Sequence, residues 1–198
     1  MQHQRRIVAE PPRRVLVLGS PGAGKGRLAE LLSERFGLPA VPLAQERATF
    51  DSSPARRTET PGARAASWRS HVAGLAADDL WVMTDERADV FDVAVPRADW
   101  LVFLNIPMSV CLVRVIRRIL RRRGPEPEDQ GPARWGDLRS IWAFPTDVVP
   151  RILGAIERER RNRTIFILHS GRDVSSFINR LGGVGKPDAG VSSGKGSS

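Results

Sequence analysis

Apolar positions in this chain alternate between short unbroken runs and longer stretches where they recur every three or four residues. Val15-Leu-Val-Leu is an unbroken run ending in glycine, and it reads as a strand buried on both faces. Leu28, Leu31, Leu32 and Phe36 then share one stripe of a helix that Gly37 stops. Ala40–Leu43 reads as a short second strand, and Leu80–Thr84 as a third. Trp68, Val72 and Leu75 mark a helix between them. Trp100–Ile106 is the strongest strand, and the segment from Met108 to Arg123 is the strongest helix. In that helix Met108, Cys111, Leu112, Val115, Ile116, Ile119 and Leu120 follow the i, i+3, i+4 rule over three turns. A short helix holds Trp135, Leu138, Ile141 and Trp142, and a longer one runs from about Pro150 to Arg161. Thr164–His169 is a last strand and Asp173–Leu181 a last helix. Strands alternating with helices predict an α/β fold with a five-stranded parallel sheet flanked by helices on both faces.

The remaining segments carry no period. Residues 44–65 read as a mobile loop, and Gly124–Ala133 as a Pro/Gly-rich acidic loop holding Glu126, Glu128 and Asp129. Residues 1–12 read as a flexible arm and 182–198 as a disordered Gly/Ser-rich tail, leaving one domain over 13–181. A length of 198 residues suits one such domain. No stretch is apolar for the length a bilayer needs, and no apolar core follows the basic residues of the N-terminus. Cys111 is the single cysteine, so no internal disulfide forms, which fits a reducing, cytoplasmic setting. Oligomeric state is left open.

A net charge of +9 calls for a polyanionic partner: nucleotide, nucleic acid or anionic lipid. Of the 31 basic residues only Lys25, Lys186 and Lys195 are lysines, leaving 28 arginines. So strong a bias is the usual mark of a GC-rich genome rather than of function. It makes Lys25 informative, because a lysine is a compact point charge where an arginine is a bulky planar fork.

Lys25 closes the run Gly19-Ser-Pro-Gly-Ala-Gly-Lys-Gly, which follows a strand and opens an amphipathic helix. Glycines at 19, 22 and 24 let backbone N–H groups turn inward around an anion with no Cβ in the way. The helix end behind them adds free N–H groups and a positive dipole end. Lys25 then reaches the β- and γ-phosphates of a nucleotide, with ATP the expected one. The expected binding residues are Gly19, Ser20, Pro21, Gly22, Ala23, Gly24, Lys25, Gly26 and Arg27. The usual residue after the lysine is Ser or Thr, whose hydroxyl binds Mg²⁺; here Gly26 and then Arg27 stand there.

Outside the loop, Asp85 ends a predicted strand beside it, either as a holder of Mg²⁺ through water or as a solvated turn residue, with Glu86 a weaker substitute. Arg114, Arg118 and Arg122 share one helix face, with Arg117 and Arg121 beside them. Such a face suits nucleotide phosphates, and Arg114–Arg123 equally suits a nucleic-acid backbone or anionic lipid. His71 and His169 lack partners at metal-ligand spacing and read as structural. Trp135 and Trp142, seven apart, read as core.

The glycine loop resembles that of adenylate kinases, which also place a glycine after the lysine, followed by a threonine where this chain has Arg27. Over roughly Arg13 to Leu181 the chain resembles the kinase-like proteins of the DNA topology modulation (FlaR-related) group. The carriers are Phe-Gly-Leu-Pro at 36–39, Leu80-Trp-Val, and Arg97-Ala-Asp-Trp-Leu-Val-Phe-Leu-Asn-Ile-Pro. Cys111-Leu-Val-Arg-Val-Ile-Arg-Arg and Ile141-Trp-Ala-Phe-Pro extend it. The resemblance implies a P-loop kinase fold with a small arginine-bearing lid at about 114–140, where Arg114 and Arg118 close over the phosphates. It also places an acidic residue near position 44, where this chain has Ala44, and an Asp-Gly-Asn near Thr84-Asp85-Glu86.

The combined expectation is ATP- and Mg²⁺-dependent phosphoryl transfer to a small acceptor such as a nucleoside or nucleotide. Lys25, Arg114, Arg118 and Asp85 carry the catalysis. Two rivals stand beside it: a nucleotide-binding module with a degenerate catalytic site, and a nucleic-acid-associated protein using its arginine helix.

Overall fold

A computed structural model of the chain describes residues 11–87, 89–120, 135–161 and 163–181. Five parallel strands form one sheet: β1 (Arg14–Gly19), β2 (Ala40–Pro42), β3 (Trp81–Asp85), β4 (Trp100–Leu104) and β5 (Thr164–Leu168), in the order β2-β3-β1-β4-β5. The helices are α1 (Lys25–Phe36), α2 (Leu43–Ser52), α3 (Pro54–Arg57), α4 (Pro61–Leu75) and α5 (Phe91–Ala94), then α6 (Met108–Leu120), α7 (Trp135–Ala143), α8 (Val149–Glu159) and α9 (Gly171–Leu181). The expected α/β architecture is therefore present, with β1 at the sheet centre.

The unbroken apolar runs are explained by a core on each face. Val15 and Val17 join Val82, Val102, Leu32, Cys111 and Phe177 in one layer. Leu16 and Leu18 point the other way, into a second layer with Met83, Phe103, Trp68 and Ile152. Period-two side chains with both faces covered leave no polar position in the strand. The start of β1 is tied to β4 by Asp99, whose Oδ2 accepts from the backbone N–H groups of Arg13 (3.0 Å) and Arg14 (2.9 Å).

The structure departs from the periodicity reading in three places. Residues 44–65 are largely helical, forming α2, α3 and the start of α4 rather than a mobile loop. In α2 only Leu43 is buried, so no apolar stripe exists to be read. Local pairs and packing on α4 hold the segment instead. Arg47 Nε bonds Asp51 at 3.0 Å, the Arg47 guanidinium lies 4.9 Å over the Trp68 ring, and Phe50 meets Trp68 edge-on. Caps add to this: Pro54 opens α3, and the Thr60 hydroxyl accepts from Ala63 N ahead of Pro61.

Trp142 is the second departure: it is 64% exposed, while its neighbour Ile141 is buried. A helix turns about 100° per residue, and the core takes Ile141. The side chain of Trp135 lies outside the described residues. The third departure is in α6, which buries Cys111, Val115 and Ile119 but leaves Ile116 and Leu120 (77%) exposed, a narrower stripe than the sequence suggests. Residues 121–134, including Arg121, Arg122, the acidic loop and much of the expected lid, lie outside the described residues, as do 1–10 and 182–198.

Gly154 sits in the middle of α8, where an added Cβ would meet Arg158 Nη1 at an ordinary 3.6 Å. Glycine in a helix interior costs about 0.5–1 kcal/mol relative to alanine. Gly154→Ala is therefore expected to stabilise the protein by that amount, measured as a higher urea midpoint at unchanged slope; a lower midpoint would contradict the packing described.

Candidate phosphate-binding site

β1 ends at the sheet centre and α1 begins at Lys25, so the chain must reverse within Ser20–Gly24. Ala23 N bonds back to Ser20 O at 3.1 Å to close the turn. Gly22 and Gly24 have φ of 80° and 100°, left-handed values that side chains resist. Space is as restrictive as torsion at Gly22, where a Cβ would lie 2.6 Å from the carbonyl oxygen of Cys111 on α6. Alanine there meets both strain and backbone. At Gly19 a Cβ would crowd Leu104 on β4 at 3.1 Å. The loop thus folds flat against the start of α6, with the unpartnered first-turn N–H groups of α1 behind it.

Lys25 reaches over the loop. Its Nζ donates to Ser20 O at 3.0 Å and pairs with Glu86 Oε2, also at 3.0 Å, and its side chain is only 11% exposed. Arg114, one helix over, donates from Nη1 to the carbonyls of Gly22 and Ala23, each at 3.3 Å. Ser20 Oγ lies 3.2 Å from Cys111 Sγ, a buried contact that further fastens loop to helix. Arg27 is exposed and pairs with Glu30 at 3.0 Å. Gly26, in the first turn of α1, supplies no hydroxyl.

All of this lies on an open cleft of about 1120 Å³. The loop from Pro21 to Gly26, with Lys25 in it, is one part of its wall, and Arg114 and Arg118 are another. At one end α9 and the turn after β4 contribute Gly171, Val174 and Ile106. At the other, α2 contributes Ala44, Arg47, Thr49 and Asp51. The structure therefore brings Lys25, Arg114 and Arg118 to one cavity. The resemblance already points to position 44, which lies on α2, whereas no residue of α9 is expected at the site from sequence, because its pattern carries no phosphate chemistry.

Asp85 is not a solvated turn residue: it is 5% exposed, at the end of β3 beside Leu18 of β1. Its Oδ1 accepts from the N–H groups of Glu86 (2.7 Å) and Arg87 (3.1 Å), bracing the turn that aims Glu86 at Lys25. Its Oδ2 is buried without a partner. Burial is the main cause that pushes the Asp85 pKa up to about 6, against those N–H bonds. Asp85 lines a small neighbouring pocket with Trp68 and Asp89, while Glu86 lines both that pocket and the wide cleft. An orphaned carboxylate oxygen suits the water shell of a hard cation, so Asp85 and Glu86 are the residues fit to hold Mg²⁺.

His71 and His169 take structural places. His71 Nε2 lies 3.4 Å from Glu46 and its ring stacks on Trp68. His169 donates its backbone N–H to Asp173 at 2.9 Å, at the start of α9. Among the described residues no cluster of three or more metal-ligating side chains occurs. No helix among them is long and apolar enough to cross a membrane.

Comparison with known proteins bears on this geometry. No family model matches the chain. Over 28 residues, 14% of its length, the chain is 61% identical to an adenylate kinase of Mycobacteroides abscessus, and the match spans 16% of that enzyme. It is similar in structure to an unliganded sugar kinase from Janibacter sp. HTCC2649, with a TM-score of 0.51 and 18% identity over 86% of this chain and 92% of that one. It is also similar to the shikimate kinase of Acinetobacter baumannii in complex with shikimate, with a TM-score of 0.52 and 16% identity over 87% and 91%. The class of fold is thereby shown: a five-stranded parallel sheet flanked by helices, the fold of P-loop kinases.

The raised pKa of Asp85 has a signed consequence. Below about pH 3 the carboxyl is neutral in both folded and unfolded chains, because its ordinary pKa is 3.8. As pH rises from 3.8 towards 6 the unfolded chain ionises first, so stability falls and the loss is complete just above pH 6. Asp85→Asn, which keeps the Oδ1 acceptor, escapes this loss. It is expected to exceed the wild type by about 3 kcal/mol at pH 7 and to converge with it at about pH 3. Urea unfolding across that range checks it; a constant difference would show that the carboxyl titrates as if in water.

Proposed function

We propose that this protein is an ATP-dependent phosphotransferase acting on a small acceptor such as a nucleoside or nucleotide. The observation that carries the reading is the convergence of Lys25, Arg114 and Arg118 on one cleft built over a glycine loop. Its volume of about 1120 Å³ leaves room for a nucleotide and a second small molecule. Phosphoryl transfer asks for positioning and positive charge more than for covalent chemistry, and this cleft offers both. Bound Mg²⁺ would neutralise charge on the β- and γ-phosphates, with Asp85 holding it through water. Lys25 would leave Glu86 for the phosphates, and Arg114 would turn from the loop carbonyls towards the γ-phosphoryl oxygens. The acceptor would lie at the α2 end. The finer placing in the DNA topology modulation group rests on the sequence resemblance alone.

A second reading, a module that holds nucleotide without turning it over, is favoured by two positions on the cleft. Gly26 stands where a loop hydroxyl is usual, and Ala44 where the resemblance puts an acid.

Two substitutions test the proposal. Lys25→Ala is expected to keep the fold and abolish ATP-induced thermal stabilisation; a wild-type shift in the mutant would remove the loop from the site. Arg118→Ala separates the readings. A transferase is expected to lose kcat by on the order of a hundredfold with little change in ATP affinity, because such a donor acts mainly in the transition state. A nucleic-acid surface would lose polynucleotide affinity instead, with a salt slope shallower by about one unit.

A further inference from the structure

We propose that the outer flank of α6 is a docking surface for an anionic lipid bilayer, on which the protein sits peripherally. The proposal stands whether or not the chain transfers phosphoryl groups. A helix turns about 100° per residue, so the positions of α6 sort into sectors. Cys111, Val115 and Ile119 face the core. Arg114 and Arg118 line the cleft. The remaining sector holds Val110, Val113, Ile116, Arg117 and Leu120, all of them exposed. Ile116 lies about 160° round the helix from both Arg114 and Arg118, so this sector looks away from the cleft. On α7, which packs against α6, Trp142 and Arg139 are exposed too. Four aliphatic side chains gathered in one exposed sector mark a contact surface rather than a face shaped for water.

Charge on this flank decides among occupants. From Met108 to Leu120 the helix carries Arg114, Arg117 and Arg118 and no acidic residue. Arg117 stands inside the aliphatic sector, about 20° from Val110 and 40° from Val113. A second copy docked face to face would bury unpaired guanidinium groups against aliphatic side chains, which is strongly unfavourable. A nucleic-acid backbone would pair Arg117 but leave the aliphatic side chains in water. An anionic bilayer satisfies both. Val113, Ile116 and Leu120 enter the acyl boundary, while Arg117 runs its stem along them and sets its guanidinium among the headgroups. An exposed tryptophan such as Trp142 is of the residue type enriched at headgroup depth. The net charge of +9 draws the whole chain to such a surface. A convex helix ridge also asks no matching groove of its partner, and a fluid bilayer needs none. Docked in this way, the protein keeps its cleft open to solvent.

Co-sedimentation of the whole chain with vesicles is the test, using phosphatidylcholine alone and an equal mixture of phosphatidylcholine and phosphatidylglycerol. The wild type is expected to pellet with the mixed vesicles, more weakly as salt rises, and to stay in solution beside phosphatidylcholine. Ile116→Ser combined with Leu120→Ser keeps every charge and is expected to weaken binding by on the order of tenfold or more. Arg117→Gln keeps the aliphatic sector and is expected to weaken it about fivefold. These side chains lie outside the core, so wild-type melting temperatures are expected. Leu120→Ser alone, at the most exposed of these positions, is expected to act in the same direction and keeps the test decisive if the pair melts early. A wild type that ignores the mixed vesicles overturns the proposal. Vesicle binding that the serine pair leaves unchanged overturns it as well, and polynucleotide binding lost in Arg117→Gln would then assign the flank to nucleic acid. A sedimentation-equilibrium mass of two chains, falling to one in the serine pair, overturns it in favour of a second copy.

Discussion

The site depends on one close approach, that of the loop backbone at Gly22 to the carbonyl of Cys111 on α6, where even a Cβ would lie at 2.6 Å. Close-packed interiors transmit such constraints rather than absorb them. The contact sets how far the loop can open and where α6 begins relative to it. Arg114 and Arg118 sit on that same helix, three and seven residues after Cys111. One packing event therefore places both the glycine-loop backbone and the two arginines on the same cleft. The strand register contributes as well, since Gly19 pairs with Leu104 and so delivers the loop and the root of α6 to the same level of the sheet.

Around that frame the charges are arranged in compensating pairs. Lys25 is held by Glu86 and by a loop carbonyl, and Arg114 by two loop carbonyls. A cation that is already hydrogen-bonded is pre-positioned, and an arriving phosphate has to replace those bonds with stronger, charge-assisted ones. The outlier is Asp85, buried with one oxygen unpartnered and its pKa pushed up to about 6. Its burial opposes stability at neutral pH, a cost typical of groups kept for a site rather than for the fold. Asp85 and Glu86 are neighbours on one turn, where Asp85 braces the backbone and Glu86 pairs with Lys25 on the cleft.

Much of this was legible along the chain. Strands such as Val15-Leu-Val-Leu and Trp100–Leu104 announce themselves because parallel strands covered on both faces read as nearly unbroken apolar runs. The glycine loop is legible because left-handed torsions and backbone crowding exclude other residues at fixed spacings. The α2–α3 segment was not, because its stability comes from pairs such as Arg47 with Asp51 and from an arginine and a phenylalanine on Trp68, none of which has a period. Trp142 misled for the opposite reason: a seven-residue spacing puts it on one face with Trp135, yet the core selects the neighbouring face through Ile141.

The sequence by itself determined the five strands, the parallel sheet, and a glycine loop ending in a lysine, since each is a local rule of sterics or of period. Tertiary structure alone decided which charges meet. Glu86 lies 61 residues from Lys25, and Arg114 lies more than 90 from the loop carbonyls it holds. Nothing local in either segment encodes those meetings. They follow from the strand order, which sets β3 and β4 on either side of β1 and so gathers the ends of three strands around one loop. The same order buries Asp85 against β1, which no reading of a polar residue after a strand could distinguish from exposure to water.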